Sequence, residues 1–283
     1  NKMDAFADKT FSFMAKVAAA ASAGITGALA ASTAAVASGE SQMSTVQAIS
    51  QASETEMARL KALAKQMGIE TKFSATEAGQ GLEYMAMDGW EVDSMLAGLP
   101  GIMNLAAASG EDLGQVSDIV TDAMTAFNLE ASRSAEFADV LAQASARSNT
   151  DVATMGQTFK YVAPVAGALG FSIQDTATAI GLMANAGIKG EQAGTSLRAM
   201  FTRIVKPTAE VEAAMSRIGL TVSNSDGSMR SLDEILRDLR TGFAGLSESE
   251  RASTAASLAG QEAMSGMLAL INASGEDYEK LSD

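Results

Sequence analysis

A helix–glycine–helix pattern recurs at a spacing of sixty residues, and it restricts the chain to few architectures. Residues 95–120 and 155–180 align without gaps. Met95 falls on Met155, Leu99 on Phe159, Ile102 on Val162, Ala106 on Ala166, Gly110 on Gly170, Leu113 on Ile173 and Val120 on Ile180. A weaker third copy, residues 268–281, puts Gly275 and Tyr278 where Gly110 and Leu113 stand. An apolar helix, a glycine and a second helix, repeated, predict helical hairpins that bury their faces against one another. The expected fold is all-α: Gly- and Pro-punctuated hairpins packed as a compact, repeat-like module, with a long N-terminal helical segment. Such a scaffold contains no catalyst of itself.

Composition narrows the chemistry further. The chain has no histidine and no cysteine, so the commonest general base, the commonest metal ligand and any disulfide are all excluded. Twenty Lys and Arg stand against 34 Asp and Glu, a net charge of −14, which argues against a binder of phosphate backbones. With 283 residues the chain can bury a substantial core. It starts on Asn1 and stops at Asp283 with no terminal signal, and it reads as an excerpt from a longer protein.

Residues 17–39 carry no charge, and the run is long enough to span a bilayer. Only Val17, Ile25, Leu29 and Val36 are large apolar residues, however. At roughly −0.5 kcal/mol each they supply about −2 kcal/mol of insertion free energy, which the Gly, Ser and Thr residues largely cancel. Small residues such as Gly24 and Gly27 suit close helix packing, so the face of Gly24, Ile25, Gly27 and Leu29 reads as helix-packing first and membrane contact second. Residues 41–67 predict an amphipathic helix with Val46, Ile49, Met57, Leu60 and Met67 on one side and Gly68 as its terminator. This gives two units: 1–67, Ala-rich and amphipathic helices, and 68–283, the compact module.

Beyond Gly68, punctuation is regular. Ser74 and Glu77 form a capping box opening a helix that ends near Asp88–Gly89. Gly98, Pro100, Gly101 and Gly110 are expected to bound short helices. A helix from Thr150 to Leu169 is expected to bend at Pro164. Gly187 and Gly190 mark a turn, and Pro207 suits the first position of the next helix. Leu220–Ser231 has strand character around Asp226–Gly227, predicting a short β-hairpin. Ser231 with Glu234 and Ser247 with Glu250 are further boxes, the latter opening one long helix through Ile271.

Candidate chemical motifs fail on geometry. Gly187-Ile-Lys-Gly190-Glu-Gln-Ala-Gly194-Thr195-Ser196 looks like a phosphate loop, but Glu191 follows the second glycine where Lys is required. Asn224-Ser-Asp226-Gly227 lacks the bidentate acid of a calcium loop. Acidic residues cluster at helix starts, where the helix dipole accounts for them. No catalytic, cofactor-binding or metal-ligating residue is assigned, and no cofactor is expected.

Several longer segments, in one order, resemble the core region of phage tail tape measure proteins. They are residues 73–90, 99–113, 137–170, 187–208 and 218–236, with GIKGEQAGTSLRAMFTRIVKPT the most specific. Gly110, Gly170, Gly187, Gly190, Gly194, Thr195, Pro207 and Gly219 carry over as a structural signature only. The resemblance implies a virion component inside the tail, a ruler around which tube subunits polymerise and which leaves ahead of the genome. It implies partners among tail tube, tail tip or hub proteins and tail assembly chaperones, and a homo-oligomer such as a trimer. As one helix, 283 residues would measure about 425 Å; the punctuation after Met67 instead folds the chain back, so residues 68–283 are expected to be a compact module and not the measuring rod. Two other readings stay open: a conduit for DNA in the host envelope built on residues 17–39, and a helical-repeat adaptor unrelated to phage.

Overall fold

The computed structural model describes residues 25–282, with side chains from Ser38 onward. They form fourteen α-helices: α1 (Ile25–Ser50), α2 (Glu54–Glu70), α3 (Ala75–Met87), α4 (Val92–Ser109), α5 (Leu113–Ala126), α6 (Ser134–Arg147), α7 (Val152–Ala168), α8 (Ile173–Asn185), α9 (Gly190–Val205), α10 (Ala209–Ile218), α11 (Leu232–Ala244), α12 (Glu248–Ala259), α13 (Met264–Asn272) and α14 (Gly275–Ser282). A 3₁₀ turn, Ala131–Arg133, leads into α6. Local chemistry starts these helices. Reciprocal Ser–Glu capping boxes open α2, α3, α11 and α12, each satisfying two backbone N–H groups that the first turn leaves free. The expected all-α fold is what forms.

From α4 to α9 the chain is a two-row stack. One row is α4, α6, α8; the other is α5, α7, α9; each helix packs on the next in its row. α1 to α3 close one end against α4 and α5, and α10 to α14 gather on α8, α9 and α6 at the other. A single apolar core runs from Met43 to Leu281. The residues paired by the sixty-residue echo share one environment: Met95 and Met155, Leu99 and Phe159, Ile102 and Val162, and Ala106 and Ala166 are all fully buried. Gly110 and Gly170 both adopt left-handed backbone, at φ 79° and 74°, as a helix C-terminus prefers. The stacking offset is shorter than the echo, though. Ser134 donates to the Gly98 carbonyl, 36 residues away, Gln174 to Glu136, 38 away, and the Asn149 N–H to Asn185, 36 away. The echo maps α4–α5 onto α7–α8, helices of opposite rows, so it marks similar burial and not the stacking period. In the third copy Gly275 is the first residue of α14, capped by Ser274, and terminates nothing.

Several boundaries depart from the sequence reading, each for a tertiary or local reason. The amphipathic run 41–67 breaks at Gln51, which takes a left-handed φ of 54°, and restarts from a box of Ser53 with Glu56. Gly68 lies inside α2, which ends with Thr71 bonded to the Met67 carbonyl. A Cβ at Gly68 would sit 2.7 Å from the backbone N of Ala75, so the glycine permits a close crossing. Gly98, Pro100 and Gly101 lie inside α4, where the burial of Leu99 and Ile102 outweighs the roughly 3 kcal/mol penalty of an interior proline. Pro207 precedes the N-cap Thr208 and is not in α10. Leu220–Ser231 makes a single antiparallel bridge, Ser223 with Met229, too short for a strand. The helix expected from Ser247 to Ile271 is two, split at Gly260 with φ 87°.

Candidate functional site

The signature segment 187–195 is a corner that locks α7 to α9. Gly187, at φ 84°, ends α8, and the Ile188 N–H returns to the Met183 carbonyl at 2.9 Å. Gly190, at φ 57°, opens α9, and its carbonyl accepts a bond from the buried Thr158 hydroxyl at 3.1 Å. Gly194 faces α7 so closely that a Cβ would lie 2.6 Å from the Thr158 carbonyl oxygen. Thr195 donates to the Glu191 carbonyl of its own helix at 2.8 Å. Nothing in this corner converges on an external phosphate. Gly110, Gly170 and Gly219 each end a helix in left-handed backbone. Gly24 lies outside the described residues; Ile25, Gly27 and Leu29 fall in the first turns of α1, and their side chains lie outside the description.

Packing explains the middle of the stack. Phe159 of α7 meets Phe127 edge-on at 6.1 Å and Phe137 at 5.7 Å, joining α5, α6 and α7. Phe171 and Phe201 pair similarly at 5.1 Å.

Polar chemistry concentrates where α14 docks. The Tyr278 hydroxyl donates to Asp233 Oδ1 at 2.5 Å, and the Arg237 and Arg240 guanidiniums lie 5.1 and 5.0 Å from its ring centre. Burial and then the Asp233 carboxylate push the Tyr278 hydroxyl well above the ordinary tyrosine range. Burial pulls Asp233 upward, but hydrogen bonds from Arg237 and Tyr278 prevail and hold it below its ordinary value. The Thr178 hydroxyl donates to the Leu281 carbonyl at 3.0 Å, completing the dock. This cluster is an anchor and was invisible in the sequence: Tyr278 and Asp233 are 45 residues apart with no local motif.

Elsewhere, a recess of about 210 Å³ between α5 and α7 holds Asp118, Asp122 and Lys160. Burial, followed by repulsion from Asp118 and Asp88, raises the Asp122 carboxyl. Among the described residues no three acidic side chains are placed to hold a metal ion. The two largest open grooves measure about 680 Å³, between α8 and α13, and about 840 Å³, between α9 and the α12–α13 turn. No described helix is long and apolar enough to cross a membrane.

The described residues therefore present a stack of short helices with open grooves on its surface and the dock of α14 at one end. Residues 61–260 match the model of a family described as phage-related minor tail protein, and the chain belongs to that family. It is 42% identical over 244 residues to the tape measure protein of Pneumococcus phage Dp-1, covering 86% of this chain and 21% of that one. It is 31% identical over 220 residues to the probable tape measure protein of Escherichia phage P2, covering 77% of this chain and 27% of that one. The chain therefore spans only about a fifth to just over a quarter of the length of those curated relatives. No solved structure matches it significantly.

Proposed function

We propose that this chain is a folded docking module of a tape measure protein, acting inside the phage tail without catalysis of its own. The observation that carries the reading is the stack itself, seen in a chain that matches tape measure proteins over most of its length. The longest described helix has 26 residues and measures about 39 Å, a small fraction of what an extended chain of this size would reach. Length would be set by other helical parts of the protein, while this module holds the ruler to tube, tip or hub subunits and assembly chaperones. Residues 17–39 would contact the host envelope only at ejection.

The test is an in-frame duplication of residues 38–282 within the full-length protein, with tails measured by electron microscopy. A rod would lengthen the tail by roughly 370 Å. The docking reading expects a change far below that. Lengthening close to the full increment would overturn it.

A further inference from the structure

The last described helix is held differently from the rest. α14 buries two of its eight side chains, Tyr278 and Leu281, whereas α8 beneath it buries ten of thirteen. The two stand three residues apart and so share one face of the helix. Leu281 lies over Gly181 of α8, where a Cβ would come within 2.9 Å of its Cδ2 methyl. Hydrogen bonds complete the hold: the Tyr278 hydroxyl to Asp233, the Thr178 hydroxyl to the Leu281 carbonyl, and the Arg147 guanidinium to the Lys280 carbonyl at 3.2 Å. Ala273 and Ser274 alone join α14 to α13. Isolated helices shorter than about 12–15 residues are marginal in water. Off its site, α14 is therefore unstructured chain on a short tether.

Open space adjoins α14 at both ends. Ser274 and Asp277 border the groove of about 680 Å³, across from Leu182 and Asn185 of α8. Leu281 and Ser282 border another, of about 480 Å³, across from Gln174 and Ala177 of α8. Between the two lies the stretch of α8 that α14 covers, with the small residues Thr178 and Gly181. With α14 lifted, the grooves meet over that stretch and form one trough along α8. From Gln174 to Asn185 it runs about 17 Å, roughly three helical turns. The present occupant shows what it takes: a leucine over a glycine, and a phenol whose hydroxyl finds the Asp233 carboxylate.

We propose that α14 is a detachable strap, and that lifting it opens this trough to a partner helix carrying a tyrosine and a leucine one turn apart. Opening is local, because it uncovers two large side chains and leaves the core from α4 to α9 closed. The inference goes beyond the docking role above. Its test needs no other tail protein, so it can fail while that role stands.

The chain has no cysteine, so Thr178→Cys places a single thiol beneath α14. Its labelling is followed in the 283-residue chain at rising, sub-denaturing urea, beside Ala163→Cys in the enclosed α7. Cys at 178 is expected to react at a rate nearly independent of urea, and about tenfold or more faster when Tyr278→Ala is added. Cys at 163 is expected to follow the full urea slope of global unfolding. Because Thr178→Cys removes a bond to α14, hydrogen exchange of the unsubstituted chain is the second readout, flat in urea for α14 amides and steep for α8 amides. The trough is tested by fluorescence anisotropy with a labelled synthetic peptide of residues 273–283. It is expected to bind the Tyr278→Ala/Leu281→Ala chain, whose own strap no longer seats. Wild type should bind it about tenfold more weakly or less, since a tethered α14 competes at an effective concentration in the mM range. Full urea slopes for α14 exchange in the unsubstituted chain would overturn the strap. A peptide that does not bind the folded double variant, or binds it no better than wild type, would overturn the trough.

Discussion

Gly194→Ala and Gly39→Ala are the same substitution, both in helix interiors, and the structure assigns them opposite signs. In isolation either change favours a helix by up to about 1 kcal/mol, because Ala loses less backbone freedom than Gly. At Gly39 in α1 the new methyl would meet its nearest neighbour, the Thr76 hydroxyl, at an ordinary 3.5 Å. That gain should appear almost whole. At Gly194 the methyl would lie 2.6 Å from the Thr158 carbonyl oxygen and 2.7 Å from Tyr161 Cβ. Both atoms belong to α7 at or next to its backbone, so relief requires moving α9 from α7. Yet Leu197, Met200 and Phe201 hold α9 in the core. Overpacking of this kind costs about 1–3 kcal/mol, and the upper half of that range applies because backbone opposes the methyl. After subtracting the helix gain, Gly194→Ala should lose about 2 kcal/mol while Gly39→Ala gains up to 1. With a urea slope of about 2–3 kcal/mol/M, the two midpoints should differ by about 1 M, with unchanged slopes. Equal midpoints would show that α7 and α9 are not in contact at this corner, and the stack would be wrong there.

Three further substitutions probe other parts of the molecule. Phe159→Ala empties the centre of the aromatic trio and should cost about 3–5 kcal/mol, lowering the melting temperature by about 10 °C in calorimetry. Tyr278→Phe removes the hydroxyl bound to Asp233 and should cost about 1–2 kcal/mol, read by hydrogen exchange as faster opening of α14. Asp233→Asn should flatten the acid limb of stability. The folded chain holds this carboxyl below its ordinary value, so its contribution is present above about pH 4 and lost as pH falls through the folded value; the Asn variant lacks that loss.

Features set by a few neighbouring residues were readable from the sequence. The boxes at Ser74, Ser231 and Ser247 start helices where expected, and of the helical stripe Leu232, Ile235, Leu236, Leu239, Phe243 and Leu246 all are buried but Leu246, which lies past the end of α11 and is half-buried. Glycine was ambiguous, because one residue type serves two purposes. At Gly110 it supplies a left-handed terminator; at Gly68 and Gly101 it clears space for another backbone inside a continuous helix. Only the partner's position separates these cases, and that information is tertiary. The dock of α14 onto Asp233 was illegible for the same reason.

The mismatch between the sixty-residue echo and the 36–38-residue stacking offset follows from how a two-row stack buries its members. α7 touches α5 before it, α9 after it, and α6 and α8 across the rows. A helix enclosed in this way must be apolar and small-sided over most of its circumference, whichever row it occupies. Two helices from opposite rows can therefore carry nearly the same sequence pattern without occupying equivalent places. What differs between them is the edge left to solvent. Substitutions inside the stack should therefore change stability with little effect on docking, and substitutions on those edges should change docking at nearly constant stability. A folded docking module requires that separation, whereas in an extended ruler every residue would contribute to length in the same way.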